Sequence, residues 1–103
     1  MGCGESVRLL ILNLAKNDLK EIHLRLSEYG EVPAKKFRES FERFCAQVVD
    51  MPHMFGQCEY STGYHRAVIR YDYLVFYRVD EKNGVVKVYR VLHGKRNTMP
   101  LPD

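Results

Sequence analysis

Apolar positions fall into three regimes along this chain. From Val7 to Leu14 (VRLLILNL) the residues are aliphatic with poor alternation, which predicts a short strand buried on both faces. From Ala15 onward Leu19, Ile22, Leu26 and Tyr29 recur at spacings of three, four and three, with Lys16, Lys20, Glu21, Arg25 and Glu28 between them. That period predicts an amphipathic helix closed by Gly30 as its C′ residue. Pro33 suits the first position of a second helix, whose stripe is Phe37, Phe41, Phe44 and Val48 and whose end is set by Pro52. An aromatic stripe at helical spacing is core. Met51 to Gly63 shows no period and is dense in turn formers, so it reads as a loop.

The last third follows a period of two. His65–Arg70, Tyr73–Val79 and Val85–Leu92 are rich in aromatic and β-branched residues. Tyr71-Asp72 supplies one turn, and Asp80–Gly84, which contains Asn-Gly, supplies the other. Short connections make these strands antiparallel neighbours. The order β-α-α-β-β-β predicts an α+β fold, with two N-terminal helices packed on one face of a small, mainly antiparallel sheet. The opposite face is left partly open.

With 103 residues and 46% hydrophobic content, the chain suits one domain spanning 1–103, with its core over about 7–97 and short tails. No apolar run approaches the roughly 18 residues of a membrane span. The LLIL patch at Leu9–Leu12 lacks the basic flank and cleavage site of a signal peptide, so a cytoplasmic protein without membrane contact is expected.

Charge changes this picture only once it is divided. Residues 1–50 carry eight Lys/Arg and eight Asp/Glu, whereas residues 51–103 carry eight against five, so the net +3 belongs to the second half. Cys3, Cys45 and Cys58 are odd in number and widely spaced, which argues against disulfides and zinc ribbons. Cys45 reads as helix core and Cys3 as tail, and Cys58 has no basic residue beside it to suggest an activated thiolate. His23, His53, His65 and His93 form no HxH or HExxH pattern, so no metal is expected. Ser61 follows no nucleophile signature and no glycine-rich phosphate loop exists, so no cofactor is expected.

The cations cluster around strands. Alternation places Arg66, Val68 and Arg70 on one face, Arg78 with Leu74 and Phe76, and Arg90 with Val86, Val88 and Leu92. Lys87, Lys95 and Arg96 complete the set. A single strand arginine is ordinarily solvated, its stem covering apolar sheet. The terminal His-Gly-Lys-Arg is different, because Gly94 lets the backbone turn and sets His93, Lys95 and Arg96 at a strand end. Such a surface suits an anionic partner. Whether the arginines converge depends on a strand register that the sequence leaves open.

The element order, DLKEI at Asp18–Ile22, GYHR at Gly63–Arg66, YLVFYRVDE at Tyr73–Glu81 and VYRVLHGKRN at Val88–Asn97 together resemble the RelE/ParE superfamily of bacterial toxins. The resemblance covers roughly Val7 to Asn97. It implies the toxin of a type II, plasmid-stabilisation-type toxin-antitoxin module, neutralised by a cognate antitoxin whose acidic-hydrophobic segment folds on the toxin.

RelE-like members cut mRNA on the ribosome without a metal. In that case His93 would serve as base or acid, and Arg66, Arg70 and Arg90 would hold the phosphate. ParE-like members bind and poison DNA gyrase. LHGKRN resembles the ParE branch better, since no Tyr follows Tyr89 and the tail lacks an aromatic to stack a base. Tyr71 also stands where the family often carries Gly. The expectation is a ParE-like gyrase inhibitor that uses Arg66, Arg70, Arg78, Arg90, His93, Lys95 and Arg96 for target or antitoxin binding. An mRNA endoribonuclease and a non-toxic binding module of the same fold are the alternatives.

Overall fold

The computed structural model describes residues 7–52 and 63–94. Its elements are β1 (Arg8–Ile11), α1 (Asn13–Ser27), α2 (Glu31–Asp50), β2 (His65–Ile69), β3 (Tyr73–Asp80) and β4 (Val85–His93). The sheet runs β1-β4-β3-β2, with β2, β3 and β4 antiparallel and β1 parallel to β4. This is the expected α+β architecture, a helix pair on one face of a mainly antiparallel sheet.

The core is where the 3.6-residue and 2-residue periods meet. Phe37, Phe41, Phe44 and Val48 of α2 are all buried, together with Ala15, Ile22 and Leu26 of α1. They pack on Ala67, Tyr73, Val75, Tyr77, Val86, Val88 and Val91 of the sheet. Phe37 meets Tyr73 edge-on at 5.1 Å and Phe44 meets Tyr77 at 5.5 Å, offset geometries that aromatic pairs favour. Each fully buried Phe contributes about 2–3 kcal/mol by removal from water. Specific polar ties join the layers. Tyr77 donates its hydroxyl to the Pro52 carbonyl at 3.0 Å, and Ser40 Oγ accepts the Arg70 N–H at 3.2 Å while donating to the Phe37 carbonyl.

Three local expectations are corrected. The first strand is only four residues long, because Asn13 already opens α1. It is also an edge strand, with Arg8 and Leu10 exposed, rather than one buried on both faces. Tyr29 continues the stripe of α1 on paper, but the helix stops at Ser27, and the ring is 77% exposed. Gly30 acts as the N-cap of α2 with φ 120°, and Pro33 follows as the third helical residue rather than the first. Cys45 is half-buried against the core, and its burial pushes the thiol up to about 11.

The turns are where expectation and structure agree in position and differ in geometry. Asp80 accepts hydrogen bonds from both the backbone and the side chain of Asn83, which hold its carboxyl below the usual range, and Gly84 closes the loop at φ 65°. Between β2 and β3, Arg70–Asp72 forms a tight turn in which Tyr71 (φ 63°, ψ 29°) and Asp72 (φ 62°) are both left-handed.

Candidate functional site

The register answers the question of convergence. Arg66 lies opposite Phe76, Val68 opposite Leu74, and Arg78 opposite Lys87, so these residues share the face away from the helices. Arg78 lies with Leu74 and Phe76 as expected. That face is less bare than alternation alone suggests. Tyr64, Leu74, Phe76 and Leu92 form a second buried cluster, flanked by Tyr89. The Arg78 guanidinium stacks 4.9 Å from the centre of the Tyr64 ring, and Tyr64 meets Tyr89 edge-on at 5.1 Å. Gly63 makes this approach possible, because a Cβ there would lie 2.7 Å from the Arg78 Nη2. Lys87 pairs with Asp80 at 3.8 Å. Arg66 is half-buried and has no ion-pair partner among the described residues.

Arg90 does not share a face with Val86 and Val88, although it keeps that of Leu92. The pairing shifts between Phe76 and Tyr77, with Phe76 opposite Arg90 but Tyr77 opposite Val88, which leaves Tyr89 as the extra residue of a bulge. Beyond the bulge the alternation is inverted: Val86, Val88 and Val91 face the helices and Leu92 faces away. Arg90 itself is drawn to α1. Its Nε and Nη2 donate to the two carboxylate oxygens of Asp18 at 2.7 and 3.0 Å, and the Val91 N–H donates to the same carboxylate at 3.0 Å. Both side chains of the pair are largely buried. The hydrogen bonds it donates to Asp18 hold the guanidinium pKa above its ordinary value.

His93 ends on the helix side of the sheet. It lies opposite Tyr73, meets that ring edge-on at 5.1 Å, and lines a cleft of about 130 Å³ with Asp18, Glu21, Arg25 and Arg90. Arg70 stands at the exposed β2–β3 turn, its guanidinium 5.5 Å from the centre of the Tyr71 ring. Arg70 also lines a groove of about 240 Å³ with Ser40, Arg43, Phe44 and Gln47 of α2 and Val68 and Ile69 of β2. Lys95 and Arg96 lie outside the described residues, as do Cys3, Cys58, His53 and Ser61.

The candidate residues are therefore distributed rather than gathered. Arg66 and Arg78 occupy one face and His93 the other, Arg90 reaches Asp18 of α1 from its place opposite Phe76, and Arg70 stands at the tip between β2 and β3. Among the described residues no group of three His, Cys, Asp or Glu side chains is placed to hold a metal ion, and no helix is long and apolar enough to cross a membrane. Two participants escaped the reading of the cations. Asp18 sits inside the DLKEI motif with no local hint that its partner lies 72 residues away. Gly63, which opens GYHR, matters for the side chain that packs over it.

Comparison with known proteins bears on the same features. The ParDE system of P. aeruginosa superposes with a TM-score of 0.73 at 15% identity, covering 86% of this chain and 97% of that one. The isolated E. coli RelE toxin gives 0.65 at 16% identity, covering 88% and 87%. The RelBE2 toxin-antitoxin complex of Mycobacterium tuberculosis gives 0.61 at 21% identity, covering 85% and 98%. At such identities these structures share the fold. No curated protein sequence matches the chain significantly. Residues 9–98, nearly the whole chain, match the toxin of the parDE type II toxin-antitoxin system, and the chain belongs to this ParE toxin family.

Proposed function

We propose that this chain arrests growth by binding DNA gyrase, with no chemistry of its own. The observation that carries this reading is the separation of the candidate nuclease residues. Metal-free RNA cleavage needs a base, a proton donor and cations converging on one phosphate. Here His93 lies on the helix side and Arg66 on the opposite face, while Arg90 is held by Asp18. A guanidinium with two charge-assisted bonds to a carboxylate is neutralised before any phosphate arrives. A binding surface makes no such demand, since its contact energy can be spread over a face with a few dominant residues.

The cognate antitoxin is assigned to the groove between α2 and β2. Its lining combines apolar Phe44, Val68 and Ile69 with the cations Arg43 and Arg70. Val68 is 61% exposed, and among the described residues β2 is an edge strand, the setting in which a partner segment adds as a strand. An acidic-hydrophobic segment fits both features. The similar structures that are toxin-antitoxin complexes support such a partner.

Pulsed induction in bacteria, following thymidine and methionine incorporation over the first minutes, tests the target. DNA synthesis is expected to stop first, and the purified protein is expected to block supercoiling by gyrase. Early arrest of protein synthesis with transcripts cut on ribosomes would sink the gyrase reading and make His93 the leading catalytic candidate.

A further inference from the structure

The least economical point of the backbone is the β2–β3 turn. Tyr71 and Asp72 both adopt left-handed φ values of 63° and 62°. Asp tolerates that region because its short polar side chain can bond locally, whereas an aromatic side chain is poorly suited to it and glycine would occupy it freely. The Tyr71 ring lies outside the buried core. It belongs to neither buried cluster, is 39% exposed, and has Arg70 as its ring partner. Strain of this kind persists where the surroundings impose it, and it concentrates at functional positions.

The surroundings do impose it. Ser40 Oγ of α2 holds the backbone N–H of Arg70 at 3.2 Å. From the other side Gly94 packs so closely that a Cβ there would come within 3.0 Å of the Asp72 carbonyl oxygen. Tyr73, the residue after the turn, meets His93 edge-on. The turn is thereby anchored to α2 and to the end of β4, which places the Arg70–Tyr71 pair beside the His93–Gly94 exit.

We propose that Tyr71, with Arg70 laid over it, is an anchor residue by which this toxin grips a protein target. The inference rests on the binding mode of action argued above. Tyr and Arg are the residue types that dominate protein–protein contact energy, and a pre-fixed ring loses little freedom on docking. A nucleotide base is the poorer fit, because the Arg70 guanidinium already lies over the ring and Asp72 adds a carboxylate to the same tip.

The test compares wild type with Tyr71→Gly, Tyr71→Asn and Tyr71→Phe, all expressed at matched levels without antitoxin. Growth arrest, thermal midpoint, gyrase supercoiling and transcript cleavage are each measured. Tyr71→Gly and Tyr71→Asn should need about tenfold more protein to arrest growth, with a midpoint equal to or above wild type, because both residues accept the left-handed backbone. Tyr71→Phe should arrest growth like wild type. Arrest by the Gly variant at the wild-type level overturns the proposal. A midpoint lowered in both Gly and Asn variants also overturns it, by making the ring a structural clamp. Slower transcript cleavage by the Gly variant would assign the ring to base stacking instead. A wild-type protein that leaves gyrase untouched yet loses toxicity at Tyr71 without cutting transcripts would refute gyrase as the target and leave the anchor standing.

Discussion

On the helix-covered face of the sheet, Val75, Tyr77, Val86 and Val88 belong to one apolar cluster with the aromatic stripe of α2. On the opposite face Leu74, Phe76 and Leu92 meet Tyr64 and Tyr89, and Arg66, Arg78 and Lys87 stand among them. The same three strands build both faces, so the difference lies in what covers them. Two helices with periodic stripes make a core in which many residues share the load. Among the described residues the opposite face is covered by a smaller cluster and by individual contacts such as the Arg78–Tyr64 stack over Gly63. The first face supports the fold, and the second combines a small buried cluster with exposed charge, which a recognition surface requires.

The largest effects should therefore come from the helix side. Phe44→Ala empties a site between α2 and Tyr77, and should lower the unfolding free energy by about 3–5 kcal/mol. Leu74→Ala on the opposite face should cost about 2 kcal/mol, since fewer neighbours surround the void. Urea unfolding of both variants measures the contrast. Equal losses would show that the two clusters contribute alike and would break the comparison.

Next in size is the joint between helices and sheet. Asp18→Ala removes three hydrogen bonds and leaves Arg90 charged in a largely buried position, an expected loss of about 2–3 kcal/mol. Adding Arg90→Ala should recover part of that loss, because the stranded charge goes with it. Full additivity in the double-mutant cycle would mean that the pair is spaced in the structure but uncoupled in energy.

These elements differ in how far the sequence discloses them. The helix stripes were legible because Phe37, Phe41, Phe44 and Val48 follow from one number, the period of the α-helix. Tyr29 was misplaced because a period says nothing about where a helix stops, and α1 ends two residues earlier. The three C-terminal strands and their antiparallel order followed from alternation and turn chemistry, whereas the parallel place of β1 beside β4 did not. Their faces did not follow as far as the end of β4, since one bulge residue, Tyr89, inverts every side chain after it. For that reason Arg90, expected on one face with Val86 and Val88, departs from them and its side chain reaches Asp18 of α1, while His93 ends on the helix side. The Asp18–Arg90 pair joins a motif in the first helix to a strand 72 residues on, a distance that no local pattern spans. Tyr71 was legible only as a departure, a bulky residue at a turn where the family often has glycine, and the positive φ gives that departure its physical meaning.

A smaller perturbation isolates the contact at the centre of the far face. Gly63→Ala meets two obstacles, a φ of 88° and the Arg78 guanidinium at 2.7 Å from the new Cβ. The side chain of Arg78 can swing away, so the expected loss is about 1–2 kcal/mol, mostly from the backbone. Loss of toxicity greater than the loss of stability would indicate that the position of Arg78, and not the fold, is what Gly63 protects.

The smallest effect is the most informative about the second face. Arg78→Ala removes a cation stacked on Tyr64, a contact worth about 0.5–1 kcal/mol where solvent still reaches it. Arg78→Met keeps an apolar side chain over the ring and loses the charge. If stacking by the charged group matters for the fold, both variants should fall by similar amounts; if the arginine serves only as a cover, Met should restore wild-type stability. Neither change should touch the helix-side core, so the slope of unfolding against denaturant should match wild type. Toxicity then separates two uses of one residue. Met with full stability and weakened arrest would place Arg78 on the contact surface, whereas Met with full stability and full arrest would confine it to holding Tyr64 in place. The first outcome is expected, because the cation lies in register with Lys87 and on the same face as Arg66, and a face that only needed covering would have no use for three charges in its midst.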